Sequence, residues 1–306
     1  MANLKISQLT TYTGTSADLR WFVMNNSGET ETFKFSGYTS PFRYVNDTLK
    51  NGVLINTDNS NLITSTGSNN LIGAGITNTI SSNSDNSFIG GGNNNTITHD
   101  NSAIIGGQSN SVIQDKSAII ASESSTNNGI HSTIMASQLS VIGGTLRAFI
   151  GATYECRINN GIVSSIIGGY QNILNANSYA SILNGYDNQI NGGNYNQIFN
   201  GESNRIGATS TNNIAIIGGN NNNVNNNSSI SSTISSTNST ISGRTQAVMI
   251  GTSGRTASQN YATHVENLVV FNYASLNFAD DTAAAAGGVV LGQIYHNAGA
   301  LRIRIV

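Results

Sequence analysis

The chain has 306 residues, of which only 9% are charged, and a formal net charge of −2 at neutral pH. A typical globular domain carries about 25% charged residues, and a disordered chain carries more charge and more Pro than the single Pro found here. The weak charge, without any basic cluster, argues against nucleic-acid binding, and the abundance of Asn, Gly and β-branched residues indicates short strands joined by tight turns.

The first part of the chain, residues 1–55, contains alternating stretches such as "ETFKFSGY" and is predicted to form a small β module, followed by a lead-in over residues 56–70. The opening "MANLKISQLTTYTG" lacks the apolar segment of a secretory signal. No apolar run approaches the 18 residues of a membrane-spanning helix. We therefore expect a protein that is made in a cytoplasm and does not insert into a membrane.

A repeated apolar pair followed by a small residue dominates the middle of the chain, residues 71–251. The pattern starts as "LIG" ending at Gly73, continues as "IIG" ending at Gly106, and finishes as "MIG" ending at Gly251. Twelve copies recur every 15–18 residues, which is too short for a strand–helix unit and typical of one β-solenoid rung. Asn at equivalent turn positions accepts left-handed backbone and is expected to stack its amides from rung to rung. The sequence predicts an all-β fold, a parallel β-solenoid of about twelve rungs between small β modules.

The paired apolar residues constrain how such rungs assemble. Neighbouring residues of a strand point to opposite faces, so we assign the first residue of each pair, such as Ile104, to the outside, and the second, Ile105, to the inside. The outward column is broken only by Thr233, and burying its side chains would contribute about 15–30 kcal/mol of free energy per chain. It requires a cover along its whole length, which two further copies around a threefold axis provide; a pairing of two chains is the alternative. The predicted core and trimer-interface ladder comprises Ile104, Ile105, Ile119, Ile120, Ile166, Ile167, Ile216 and Ile217.

The repeat ends at residue 251, and residues 252–306 are predicted to form a C-terminal capping module. "NLVVFNYASLNF" indicates one or two strands, "DDTAAAAGG" a short helix stopped by Gly, and the last 18 residues a hairpin around "NAG". Such a module protects the strand edges that the last rung would otherwise expose.

An acidic row is the first candidate site. Asp85, Asp100 and Asp115 lie 15 residues apart, and His131 is read as the continuation of the series. Stacked carboxylates can bind a cation or act as paired acids, but the simpler interpretation, which we prefer, is that they are solvated turn residues. No zinc-site spacing and no nucleophile–base pair is found, and the lone Cys156 has no disulfide partner. We therefore expect no enzymatic activity, no metal and no cofactor.

Tyrosines form the second candidate site. Tyr170 and Tyr186 occupy equivalent positions of consecutive rungs, and so do Tyr179 and Tyr195. Flat aromatic faces among Asn side chains suit sugar rings, so these four residues are the candidate glycan-binding set. The plainer interpretation is an aromatic ladder that only stiffens the solenoid.

The repeat resembles the head domain of bacterial trimeric autotransporter adhesins, whose "S-x-A-I-G" repeats form β-rolls packed as trimers. "SAIIG", residues 102–106, and "SAII", residues 117–120, are the closest matches. The export signal and the membrane-barrel segment of that family have no counterpart here.

The two ends resemble a different family, the fibres of tailed bacteriophages. "LKISQLTTYTGTSADLRWFVMNNSGETETFKF" is similar to N-terminal attachment modules, and "FADDTAAAAGGVVLGQIYHNAGALRIRIV" to a terminal module of phage structural proteins. The resemblance implies a virion fibre that is assembled in the host cytoplasm as a homotrimer, and it suggests a crAss-like phage as the source. Its partners would be capsid or tail proteins and host-surface glycans. A bacterial surface adhesin and a tailspike polysaccharide depolymerase are the alternatives.

Overall fold

The computed structural model describes residues 60–81, 84–175, 178–207, 211–266 and 273–305, and in addition the backbone of residues 42–45 and 52–55. The predicted N-terminal module therefore lies largely outside the described residues. The chain divides into two compact units, Met1–His264 and Val265–Val306.

The first unit contains the predicted parallel β-solenoid. Each rung contributes one short strand to each of two long sheets. Sheet A also takes in Gly52–Ile55 and Thr263–Val265, so it extends beyond the predicted limits of the shaft, residues 71–251. The strands of sheet A are Phe42–Val45, Gly52–Ile55, Asn70–Ile72, Phe88–Ile89, Ala103–Gln108, Ala118–Glu123, Thr133–Met135, Phe149–Gly151, Ser165–Ile167, Ser181–Leu183, Gln197–Phe199, Ala215–Ile217, Ser232–Ile234, Val248–Ile250 and Thr263–Val265. The strands of sheet B are Leu62–Ile63, Thr79–Ile80, Thr96–Ile97, Ser111–Val112, Thr126–Asn127, Val141–Ile142, Arg157–Asn159, Ile173–Asn175, Gln189–Ile190, Arg205–Ile206, Asn223–Asn225 and Thr240–Ser242.

Two turns complete every rung: turn AB leads from sheet A to sheet B, and turn BA leads back to the next strand of sheet A. Both turns contain a residue with positive φ, for example Asp187 (50°) in turn AB and Tyr195 (57°) in turn BA. Asn tolerates this conformation better than other non-Gly residues, which explains much of the Asn content of the repeat.

The inward side chains of both sheets form one continuous apolar core. The predicted orientation of the "IIG" pairs is wrong, because Ile104 is fully buried and Ile105 is 49% exposed. The same reversal holds for the other ladder pairs: Ile119, Ile166 and Ile216 are fully buried, whereas Ile120, Ile167 and Ile217 point outward.

The reversal has a simple structural cause, a one-residue offset between two kinds of repeat. Ile89 pairs with Ile104 across the sheet, so "FIG" aligns with "AII" and not with "IIG". In the "FIG" repeats the predicted orientation is correct: Phe88 points outward and Ile89 is fully buried. An apolar pair alone therefore does not determine which member faces the core.

A buried Asn ladder runs through the core beside the inward apolar column of sheet B. Asn188 is fully buried, donates to the Asn172 side chain (3.1 Å) and to the Gly201 carbonyl (2.9 Å), and accepts from the Asn204 backbone and side chain (3.1 Å each). The predicted rung-to-rung stacking of amides is thus confirmed, although this ladder lies inside the coil. Its members are Asn61, Asn78, Asn95, Asn110, Asn172, Asn188, Asn204 and Asn222, with Ser125, Ser140, Cys156 and Ser239 in the remaining rungs.

The ladder residue is coupled to the residue three positions earlier. Except at Asn61, which is preceded by Asp58, rungs with Asn have Gly there, as in Gly185–Asn188, because a Cβ at Gly185 (φ 103°) would collide with the next rung's Gly201 carbonyl. Rungs with a short ladder residue have Ser or Thr instead, as in Thr153–Cys156. Burial raises the pKa of the Cys156 thiol, and the side chain accepts from the Asn172 N–H (3.4 Å), so Cys156 is a structural member of the ladder.

Thr233 interrupts the inward apolar column of sheet A. It is fully buried between Ile216 and Met249, and its hydroxyl has no hydrogen-bond partner among the described residues. We expect Thr233→Val to raise the free energy of unfolding by about 1–2 kcal/mol, because it removes an unsatisfied buried hydroxyl without changing the shape. Thermal unfolding of the full chain measures this, with Thr240→Val on the outer side of sheet B as control; a lower melting temperature for Thr233→Val would contradict it.

The second unit contains the predicted helix and hairpin. Asp280 caps the N-terminus of the helix Asp281–Ala286, where its side chain accepts from the Ala283 N–H (2.8 Å), and Gly287 caps the C-terminus. The strands Ile294–Asn297 and Ala300–Ile303 form the hairpin. Of the segment where strands were predicted before the helix, residues 273–278 are described: Tyr273–Leu276 is a 3₁₀-helix, and Asn277 forms an isolated parallel bridge with His296.

Candidate functional site

The outer side of sheet A carries a continuous apolar stripe, which we call the sheet-A stripe. In most rungs its member is the residue after the buried one, such as Ile105; in the rungs where that residue is Gly, it is the residue before. At Gly151 the ring of Phe149 takes the place of the missing side chain, since a Cβ there would lie 2.7 Å from the Phe149 ring. The members are Leu71, Phe88, Ile105, Ile120, Met135, Phe149, Ile167, Leu183, Phe199, Ile217, Ile234 and Ile250.

The two sheets differ in the chemistry of their outer sides. Around the stripe, the neighbouring outward strand positions and the first turn positions hold only Ala, Gly, Ser, Thr, Asn, Gln and Val, for example Ala118, Ser165 and Gly168. The one charged side chain in the sheet-A strands between residues 71 and 251 is the exposed Glu123, at the end of Ala118–Glu123. The outer side of sheet B instead carries mainly Thr, Ser, Asn and Gln together with Arg157 and Arg205. Its apolar members do not form a continuous column; they are Leu62, Ile113, Val141 and Ile173. Sheet A is therefore the face suited to association, and sheet B the face suited to water.

The candidate tyrosines form two separate ladders on different turns. In turn AB, Tyr154, Tyr170 and Tyr186 stack with ring centroids 5.0 and 5.3 Å apart. In turn BA, Tyr179 and Tyr195 stack at 5.0 Å with planes inclined by 5°. The structure thus brings together the two members of each predicted pair but does not join the pairs into one patch.

Stacking changes what the tyrosines offer to a ligand. The near-parallel rings cover each other's faces, so a ladder presents ring edges and hydroxyls along its length and a free ring face only at its ends. Partial burial, and then the Glu155 carboxylate, raise the pKa of Tyr170. The face of Tyr186 that is turned away from Tyr170 lies toward the rung of Glu202 and has no aromatic partner there.

A polar groove lies on the outer side of sheet B. Asp187, which follows Tyr186 in the chain, lines it together with Gln189, Ser203, Arg205, Asn221 and Asn223, while Tyr186 itself is not a lining residue. One aromatic face beside a carboxylate, a guanidinium and several amides provides stacking together with hydrogen-bond donors and acceptors for hydroxyl groups. Tyr186, Asp187 and Arg205 are therefore the candidate ligand-binding residues of the shaft.

Sequence reasoning missed two members of this site, although a signal for one was present. Asp187, like Glu155 and Gln171, lies directly after a ladder tyrosine at the rung spacing of 16 residues. The Gln171 amide donates to the Glu155 carboxylate (2.6 Å), so this second column is also connected between rungs. No sequence signal indicates Arg205, because its place beside Asp187 in the groove depends on the geometry of turn AB.

The acidic row serves the backbone of turn BA. The Asp100 carboxylate accepts from the Asp85 N–H (2.8 Å), and the Asp115 carboxylate accepts from the Asp100 N–H (3.1 Å). His131 does not continue the row, because Ile130 occupies the equivalent position and bridges to the next rung. The geometry agrees with turn residues that link successive rungs, which is the interpretation we preferred from the sequence.

Within the part of the chain that the structure describes, no three His, Cys, Asp or Glu residues are placed to hold a metal ion. The helices in that part are too short or too polar to cross a membrane. No protein-family model and no curated protein matches this chain.

Proposed function

We propose that this protein is a homotrimeric fibre of a tailed-phage virion. The N-terminal module attaches it to capsid or tail proteins, the solenoid is a rigid spacer, and the Tyr186 groove contacts glycans of the host surface. The resemblance of the two ends to phage fibre modules supports the virion assignment, and the protein acts by adhesion and without catalysis.

The single observation that carries the proposal is the uncharged sheet-A stripe. In one chain, five of its twelve side chains are 38–49% exposed and the other seven are partly buried, so roughly 10 kcal/mol of apolar burial per chain is still open to association. A soluble chain requires a cover for such a stripe over all twelve rungs. Three parallel copies place their stripes around one axis and leave the polar sheet-B faces, with their grooves, in contact with water.

Light scattering of the purified full chain on a sizing column tests the oligomeric part. We expect a mass about three times the 32.0 kDa of one chain, with resistance to mild SDS. A monomeric mass would remove the fibre from consideration. Mass spectrometry of purified phage particles tests the virion part, which fails if the chain is absent from the particles.

Glycan binding at the Tyr186 groove is tested by substitution. We expect Tyr186→Ala or Arg205→Ala to weaken binding to host-surface glycans about tenfold, which corresponds to about 1.4 kcal/mol for the loss of a stacking face or a donor group. Binding is measured with trimeric protein on intact host cells and on their isolated surface polysaccharide. The matched control is Tyr195→Ala, which removes a tyrosine from the other turn that is 56% exposed, against 45% for Tyr186; an equal loss in the control would contradict the assignment to this groove.

A further inference from the structure

The C-terminal unit, Val265–Val306, has a very small core of its own. Only Ala284, Val289 and Tyr295 are buried in it, with Leu276 and Phe278 packed against them. Units of this size rarely obtain enough burial from one core, and an isolated two-stranded hairpin is marginally stable in water. The unit therefore benefits from burying additional surface against something else.

The surface that remains open is apolar and concentrated at the end of the chain. Leu301, Ile303 and Ile305 are 60%, 57% and 75% exposed, and their alternate spacing places them on one side of the last strand. Val290 and Leu291 add two further side chains that are more than 60% exposed. Isolated exposed aliphatic residues are common on proteins, but five in a unit of this size are typical of an interaction surface.

The charged residues next to this face are directed away from it. Arg302 alternates with Leu301 and Ile303 and therefore lies on the opposite side of the strand, and the guanidinium of Arg304, just after the strand, donates to the Val289 carbonyl (2.6 Å) within the unit. The Asp281 carboxylate is also used internally, by the Tyr295 hydroxyl (2.6 Å) and the Ile305 N–H (2.7 Å). In addition, Ala300–Ile303 pairs with one strand only among the described residues, so its outer edge is open.

We infer that the face of Leu301, Ile303 and Ile305 binds the same face of two further copies of this chain and sets the register of the trimer. The inference rests on the proposed trimer. Because the C-terminal unit follows the shaft directly, three parallel shafts hold their units close together, and the tether gives a high effective concentration. A face without charge suits its own copy, since no complementary charges are required.

The shaft by itself does not determine the register of the three chains relative to one another. Successive rungs present nearly the same stripe, such as Ile105 above Ile120 and Ile217 above Ile234, so a shift of one rung replaces each contact by a similar one. Repetitive strands specify their register weakly for this reason. A single non-repeated contact at the end of the chain removes the degeneracy and aligns all twelve rungs.

Cross-linking of the full chain tests the contact. In a Cys156→Ser background, which places at this ladder position the residue found in neighbouring rungs, Ile303→Cys provides the reporter and Arg302→Cys, on the opposite side of the strand, the control. Under mild oxidation with diamide we expect Ile303→Cys to give disulfide-linked pairs of chains and Arg302→Cys to remain unlinked. Equal linking at both positions, or no linking at Ile303→Cys in a chain of trimeric mass, overturns this inference and leaves the shaft proposal standing. A monomeric mass overturns both.

The register itself is tested with the double variant Leu301→Thr and Ile303→Thr, which keeps strand-forming residues. After unfolding and refolding of the full chain, we expect the yield of SDS-resistant trimer to fall several-fold relative to the unsubstituted chain. The control is Thr263→Ser in the last strand of sheet A. A double variant that refolds with the yield of the unsubstituted chain overturns the proposed role in register.

Discussion

Replacing Ile167 and Ile217 by Asp is expected to release single chains while the solenoid stays folded. Both side chains point outward from sheet A, beside buried residues that remain unchanged. In the proposed trimer the double substitution removes about 1–3 kcal/mol of apolar burial per chain, since the two side chains are 44% and 43% exposed in one chain. It also places three like charges at each of two levels near the axis, where their desolvation costs several kcal/mol more. The measured mass should fall from three chains to one, with an unchanged far-ultraviolet circular dichroism spectrum.

A matched control for this experiment comes from the other sheet. Thr126→Asp with Gln189→Asp introduces the same charges at outward positions of sheet B, which remain in contact with water in the proposed trimer. These changes should leave the mass at three chains. If the stripe variant keeps its trimeric mass, the sheet-A stripe is not the interface; if the sheet-B variant also dissociates, the effect is one of net charge.

The rungs could be predicted from the sequence, but the direction of their side chains could not. The 15–18-residue interval is set by the stacking of identical coils, so it appears directly in the spacing of the apolar pairs. Which residue of a pair faces the core depends on the strand register, and an apolar residue suits either side. The deciding signal was the polar residue two positions earlier: Ser102 is buried with Ile104, so both face the core. In the "FIG" rungs this signal is obscured, because the stripe member is the residue before the buried one: the ring of Phe149 fills the space where a side chain at Gly151 would lie.

The candidate site was predictable to a similar, partial extent. The 16-residue interval between Tyr170 and Tyr186 predicts that they are neighbours, and they are. It contains no information on ring orientation, so the mutual covering of the faces could not be foreseen. Arg205 comes close to Asp187 only because turn AB brings the next strand of sheet B beside it. Sites of this kind depend on side-chain directions at two adjacent turns, which a repeat spacing does not specify.

Asn188→Ala is expected to destabilise the shaft by about 2–4 kcal/mol, because it leaves two buried N–H groups without their acceptor at roughly 1–2 kcal/mol each. These groups are the backbone N–H and one side-chain N–H of Asn204, whereas the Gly201 carbonyl keeps the hydrogen bond from the Tyr186 N–H (3.1 Å). Water cannot replace the lost amide, since the ladder is fully buried and the adjoining Gly185 leaves no polar side chain to turn inward. The free energy of unfolding in denaturant, or the melting temperature if unfolding is irreversible, measures the loss.

The same rung offers the control for this prediction. Asn191 lies three residues later on the outer side of sheet B, where its carboxamide oxygen accepts from the Asn175 side chain (2.7 Å) in a partly exposed column. In Asn191→Ala, water can accept the hydrogen bond from the Asn175 side chain instead, so the free energy of unfolding should fall by less than about 1 kcal/mol. Equal losses for the two variants would mean that Asn stabilises the rungs through turn conformation rather than through its buried hydrogen bonds. A large loss for Asn188→Ala alone would establish the inner ladder as the element that holds consecutive rungs together.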